Sequence, residues 1–267
     1  MFEDRMKTSA IPERVFALCQ MLDSKGTVEN DIKEKLEPSE FISNTSYFGA
    51  VRDAAKQLGL ISMRDGNKIA LAVGRKEIAT MAGMRRYVVA HIENIQSGLF
   101  YAVSQAYMKL NEEIYKYKSA SDAELIKRIS LMTGKQIIED DMRAWRFWSS
   151  FLGFGHLHRL SKGNNAAELL VPNAMVYLGA VLDVAALGKN REYTFENFME
   201  ETEVYTDILQ KKTDKNLNMA FSYGLRGLHD LGRIKLVHKM DSENMWYLYK
   251  DEMHEIAGTV SHITILK

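Results

Sequence analysis

Between residues 211 and 239 the sequence sets seven permanent cations, Lys211, Lys212, Lys215, Arg226, Arg233, Lys235 and Lys239, against two anions, Asp214 and Asp230. Seven minus two leaves a local surplus of +5, to which His229 and His238 add when protonated. The chemistry open to such a cluster is phosphate neutralisation, the term that supplies most of the affinity of a protein for nucleic acid. Immediately upstream, residues 192–207 carry Glu192, Glu196, Glu200, Glu201, Glu203 and Asp207 with no Lys or Arg. This polarity fits contact with a DNA backbone through Arg226, Arg233, Lys235 and Lys239. It fits equally a charged face that only keeps the surface solvated, and the acidic stretch fits a protein partner. A second basic group, Arg143, Arg146 and Lys162, surrounds "RAWRFWSSFLGF", and a third, Arg52 and Lys56, is opposed by Asp53.

Covalent and metal chemistry find less support. His156 and His158 stand two apart, so on a strand they share a face, but no further His, Cys or carboxylate is marked as a co-ligand. Asp140 and Asp141 adjoin at the start of a predicted helix, where acidic residues favour the N-terminal end of the dipole. Cys19, the only cysteine, lies in the apolar run "VFALCQML" and reads as a buried thiol. Neither "SKGNNA" nor "RDGNK" matches a Walker or dinucleotide loop, and no zincin motif or nucleophile elbow occurs. The expectation is a protein that is not an enzyme, with no catalytic residues, no metal and no cofactor. A nuclease built from scattered carboxylates stays open as a rival.

Trp145, Trp148 and Phe151, with Phe147, are too many large rings for one small core and mark a contact surface. The surface suits a neighbouring domain of the same chain, another protein, or stacking on unpaired bases.

These residues must be positioned by secondary structure, and the sequence repeats one plan three times. Leu-Gly pairs at 58–59, 152–153 and 231–232 each close a helical periodicity and precede β-prone runs. Leu217, Phe221, Leu225 and Leu228 form the apolar stripe of the third such helix. Gly232 has no Cβ and suits the left-handed conformation that ends a helix. The paired runs are "LISMR"/"NKIALAV" about Asp65-Gly66, a tight-hairpin signal, the runs either side of "KGNN", and "RIKLVHKM"/"MWYLYK" about "DSEN". Before each lies a short amphipathic helix ("VENDIKEKLEP", "SDAELIKRISLMTG" and "FENFMEETEVYTDIL", the last entered at Thr194), and before that an apolar one ("PERVFALCQML", "LFYAVSQAYMKL" and "MVYLGAVLDVAAL"). Polar "SNTS" at 43–46 is predicted to cap the first of the three final helices.

Helix, helix, helix, Leu-Gly, hairpin resembles the winged helix-turn-helix superfamily, used in tandem. The opening "IPERVFALCQML" with "VRDAAKQLGLI" is also similar to winged-helix subunits of bacterial phage-defence operons. The resemblance implies a mostly α fold with small β-hairpins (α+β). Its domains would span 1–74, 98–172 and 173–267, with a helical connector at 75–97. It also implies nucleic-acid contact through the third helices and wings.

Composition is compatible with this. The chain has 267 residues, 46% of them hydrophobic and 26% charged, with three prolines to interrupt helices. Its formal net charge is zero, so any phosphate surface must be local. No apolar run reaches the length of a membrane span. With a single cysteine and no basic-then-apolar leader, a cytoplasmic setting without membrane contact is expected. Read together, the sequence predicts a non-catalytic DNA-binding regulator or adaptor subunit of a larger assembly. The alternative is a protein-interaction scaffold whose winged-helix surfaces hold partner subunits.

Overall fold

The computed structural model describes residues 2–40, 46–159 and 168–266. Helix takes 47% of the described residues and strand 15%, giving a mixed α and β fold with small antiparallel sheets. Three successive helical segments each end in paired strands.

The first segment runs α1 (Pro12–Met21), β1 (Thr27–Val28), α2 (Glu29–Leu36), α3 (Phe48–Gln57), β2 (Ile61–Arg64) and β3 (Lys68–Leu71). Proline opens α1, where its missing N–H loses nothing. Gly59 follows α3 at φ +72°, and the β2–β3 turn places Gly66 at +73° and Asn67 at +52°. The three strands form one sheet in the order β1-β3-β2. Residues 43–45 of the predicted cap lie outside the described residues. Ser46 does not cap α3: its hydroxyl donates to Glu37 Oε2 at 2.7 Å.

A connector holds α4 (Met81–Ala90) and a short 3-10 helix, Ile92–Ile95. Next come α5 (Leu99–Lys109), a second 3-10 helix (Asn111–Lys116), α6 (Ala123–Thr133), α7 (Glu139–Leu152), β4 (Gly155–Arg159) and β5 (Glu168–Pro172). Strands β4 and β5 pair antiparallel, as expected; their "KGNN" turn lies outside the described residues.

The last segment contains α8 (Met175–Val184), β6 (Arg191–Thr194), α9 (Phe195–Thr206), α10 (Met219–Asp230), β7 (Ile234–Val237), β8 (Trp246–Tyr247), β9 (Thr259–Val260) and β10 (His262–Ile265). Thr194 caps α9, its hydroxyl accepting from Asn197 N–H at 3.2 Å. The predicted third hairpin is corrected here. β7 pairs not with "MWYLYK" but with β10, which sets Ile263 opposite Leu236 and Ile265 opposite Ile234. All four of these side chains are buried, so the pairing closes an apolar layer. Both candidate partners alternate apolar and polar residues, which is why periodicity alone could not choose between them. The sheet order is β6-β10-β7, the same connectivity as β1-β3-β2 in the first segment. Residues 238–261 form an insertion between the two strands.

One cluster of buried apolar side chains runs through all three segments. Phe2 is wedged between Phe100 and Trp148, with ring centroids 5.5 and 5.0 Å away and near-perpendicular planes. The N-terminal arm is thereby stitched to α5: Leu99 N–H donates to Glu3 O (2.7 Å) and Phe100 N–H to Phe2 O (3.1 Å). Among the described residues, no helix is long and apolar enough to cross a membrane.

Candidate nucleic-acid interface

A helix that enters the major groove must offer one open face. Of the three helices that precede Leu-Gly joints, α10 offers least. Among its 12 residues only Asp230 is exposed. Gly224 lets α8 approach so closely that a Cβ there would stand 2.7 Å from the Ala174 carbonyl carbon. The 238–261 insertion covers another side of the helix. Trp246, buried against Phe195, anchors the insertion, and His254 and Glu255 bond Asp230 and His229.

Arg226, one of the four phosphate contacts expected in this stretch, is corrected by this packing. It is buried, donating through Nε to Ile256 O (2.9 Å) and through Nη2 to Ala257 O (2.8 Å). Burial lowers its pKa, with Asp251 acting the other way. Tethering the insertion occupies the guanidinium that was assigned to phosphate.

The other cations of the cluster are largely paired inside the chain. Arg233 donates to Asp183 (2.7 Å), Lys212 to Glu200 (2.9 Å), and Lys239 to Glu192. The Lys239 hydrogen bond holds the Glu192 carboxyl below its usual range, and the Glu200 hydrogen bond raises the Lys212 ammonium. The acidic stretch at 192–207 thus answers the basic one directly, and much of the local surplus is internal. Lys235 is exposed and has no ion-pair partner among the described residues.

On α7, Arg143 pairs with Glu139 and, at 3.9 Å, with Asp140. Arg146 pairs with Glu168 (2.7 Å) and lies over the Phe147 ring (4.9 Å). Lys162 lies outside the described residues. His156 and His158 are both exposed on β4, and among the described residues no three His, Cys, Asp or Glu side chains gather to hold a metal. Of the contacts expected for the aromatic run, the one formed is with the chain itself, and the assignment of these rings to an outside partner is corrected. Trp145, Trp148 and Phe151 face inward, Trp145 donating to Ser104 Oγ (2.9 Å) and Trp148 to Ala10 O (2.7 Å). Trp145 and Trp148 fill the junction of α7 with α5 and the N-terminal arm, and Phe151 packs on Trp148 and under the Arg85 guanidinium of α4. Their partner is the same chain.

Helix α3 is different. Its Phe48, Val51, Ala54 and Ala55 point inward, leaving an outer face of Gly49, Ala50, Arg52, Asp53 and Lys56 partly or fully exposed. Arg52 is held by Glu29 (2.5 Å) and Asp53 (2.8 Å). Lys56 is exposed, and the next element carries two further exposed cations, Arg64 and Lys68, opposite each other across the β2–β3 turn. Among the described residues none of these three has an ion-pair partner. Arg64 and Lys68 were not among the candidates from sequence. The signal for them was the register of the Asp65-Gly66 turn, which places its flanking residues side by side at the hairpin tip.

Comparison with protein-family models, curated proteins and solved structures returned no match.

Proposed function

We propose that the chain is a non-catalytic nucleic-acid-binding adaptor of three winged-helix-type units, in which only the first unit is presented to nucleic acid. Support for the units is the order helix, strand, helix, helix, strand, strand that the first segment shares with the third once the 238–261 insertion carrying β8 and β9 is set aside, with the same sheet connectivity. The middle segment keeps a trace of it, since Ala120 N–H donates to Glu168 O of β5 where the others have their first strand. The observation that carries the functional reading is the contrast between α3 and α10. The former combines an open face with three cations, at helix end and hairpin tip, that have no ion-pair partner among the described residues, while the latter is walled in. In this reading the second and third units are the rigid support that the first one stands on.

The test is a gel shift with duplex and single-stranded DNA over a salt series. Affinity should fall with salt, and the Lys56→Glu/Arg64→Glu/Lys68→Glu variant should reduce the slope of log K against log salt by about 0.9 for each phosphate contact removed. Lys235→Glu, on β7, should change it little. Binding that survives the triple variant would move the interface elsewhere on the chain.

A second reading, a scaffold that holds partner subunits, is favoured by the ion pairs Arg233–Asp183, Lys212–Glu200 and Lys239–Glu192, which engage three of the cations at 211–239 within the chain. It predicts no DNA affinity even at low salt.

A further inference from the structure

The three Leu-Gly joints are alike in sequence but not in burial. Leu58 is 2% exposed and Leu152 is fully buried, whereas Leu231 is 60% exposed. Leu231 borders a cleft of about 400 Å³ between α4, α8 and α10. The floor is apolar, made by Met175, Val176, Gly179, Ala180 and Leu228, and the rim carries Arg85, Arg86 and Arg233 against one anion, Asp183. Three minus one leaves a net charge of +2 around an apolar hollow.

The arginines are not equivalent. Arg85 is fixed, its Nε donating to Phe151 O at 2.5 Å and its guanidinium lying over the Phe151 ring. Burial and then the charge of Arg86 lower its pKa. Arg233 is aligned by Asp183, yet its Nε is buried with no acceptor. Arg86 is exposed, and among the described residues its side chain has neither a hydrogen bond nor an ion pair. A second cavity of about 330 Å³ shares Arg86 and Asp183 and continues along α4 toward His91.

We infer that this cleft is a binding site for a small molecule with an apolar body and one anionic headgroup, a carboxylate, sulfonate or phosphate monoester. Its volume is that of small-molecule sites, which are mostly apolar with a few convergent polar groups. The headgroup would meet Arg86 and Arg233, whose forked donors match planar or tetrahedral anions. The apolar body would cover Leu231 and Val176, which is 43% exposed. This site lies away from the α3 face and does not depend on the nucleic-acid reading.

Two fluorescent probes and two variants test it on the full chain. The probes are the anion 8-anilinonaphthalene-1-sulfonate and its uncharged relative N-phenyl-1-naphthylamine. Arg86→Gln removes a partnerless charge at little risk to folding. Gly179→Leu fills the floor, since a Cβ there meets nothing closer than Leu228 Cδ2 at 3.7 Å. With near-ultraviolet circular dichroism unchanged, the sulfonate should bind saturably at one site and weaken about tenfold or more in Arg86→Gln, as for loss of a charge-assisted hydrogen bond. The uncharged probe should ignore Arg86→Gln, and both probes should be lost in Gly179→Leu. Sulfonate binding that is non-saturable, or unchanged in both variants, overturns the inference. If neither probe binds, the cleft is left to the side chains of a protein partner, and the small-molecule assignment is equally overturned.

Discussion

Asp141 offers the sharpest test of how the N-terminal arm is held. Its carboxylate is fully buried and accepts from Met6 N–H (2.9 Å), Ile138 N–H (3.1 Å) and Arg5 Nη1 (2.7 Å). Asp141→Asn keeps the shape but turns one acceptor oxygen into a donor that faces these groups. At least one hydrogen bond to a charged acceptor is lost, worth about 1.5–3 kcal/mol. The attraction to Arg5 goes too, but that side chain is 45% exposed and solvent-screened, which limits its share to below about 1 kcal/mol. The expected loss is therefore about 2–4 kcal/mol for Asp141→Asn and under about 1 kcal/mol for Arg5→Gln. Urea unfolding followed by two probes measures both, coincidence of the probes licensing the two-state treatment. Hydrogen exchange then locates the effect. Leu99 and Phe100 amides, bonded to arm carbonyls, should exchange faster, while the Leu71 amide, bonded to Asp23 O at 2.8 Å, should keep its protection. Equal losses for the two variants, or faster exchange at Leu71 and Leu99 alike, would refute the tether.

Further outcomes follow from the same geometry. Gly98→Ala should reproduce the exchange pattern of Asp141→Asn, because its Cβ would sit 2.1 Å from Phe2 O and force the arm off α5. Gly224→Ala should destabilise by about 1–3 kcal/mol in urea unfolding, since the added methyl meets α8 backbone rather than a side chain that can yield. Trp148→Ala should cost about 3–5 kcal/mol, the range for emptying a buried aromatic site, with the near-ultraviolet signal falling in step. Burial pushes the Cys19 thiol up from near 9.0 to about 12, against a smaller lowering by Arg75. The folded state therefore keeps a proton that the unfolded chain releases. Relative to Cys19→Ala, stability should be flat below about pH 9 and fall by about 1.4 kcal/mol per pH unit between about pH 9 and 12. At pH 8 native Cys19 should react with a thiol reagent only as fast as the chain opens.

Local grammar was legible because it is carried by neighbouring residues. The apolar stripe Phe221–Leu228, the glycine at each helix end, the Asp65-Gly66 turn and the Thr194 cap all act within a few residues and formed where their pattern lay, whereas Leu217, read as the start of that stripe, precedes the helix. Choices between distant segments were not legible. β7 had two apolar-alternating runs to pair with, and the outcome rested on which one buried Ile263 and Ile265 against the same layer. Charge was misread for the same reason. The surplus at 211–239 and the deficit at 192–207 are separate in sequence, but the fold sets Lys239 beside Glu192 and Lys212 beside Glu200.

The α10 helix shows the division most plainly. Its sequence determined a helix with one apolar face, and Gly224 and Gly227, three apart on another face, were the only mark of a second packed side. That Arg226 lies under the 238–261 insertion, and that Trp145 and Trp148 serve the chain's own arm, were decided by tertiary structure alone. Periodicity reports which faces of an element avoid water, because that requirement is met residue by residue. It does not report what covers those faces, because burial is satisfied by any apolar surface that the rest of the chain can bring there.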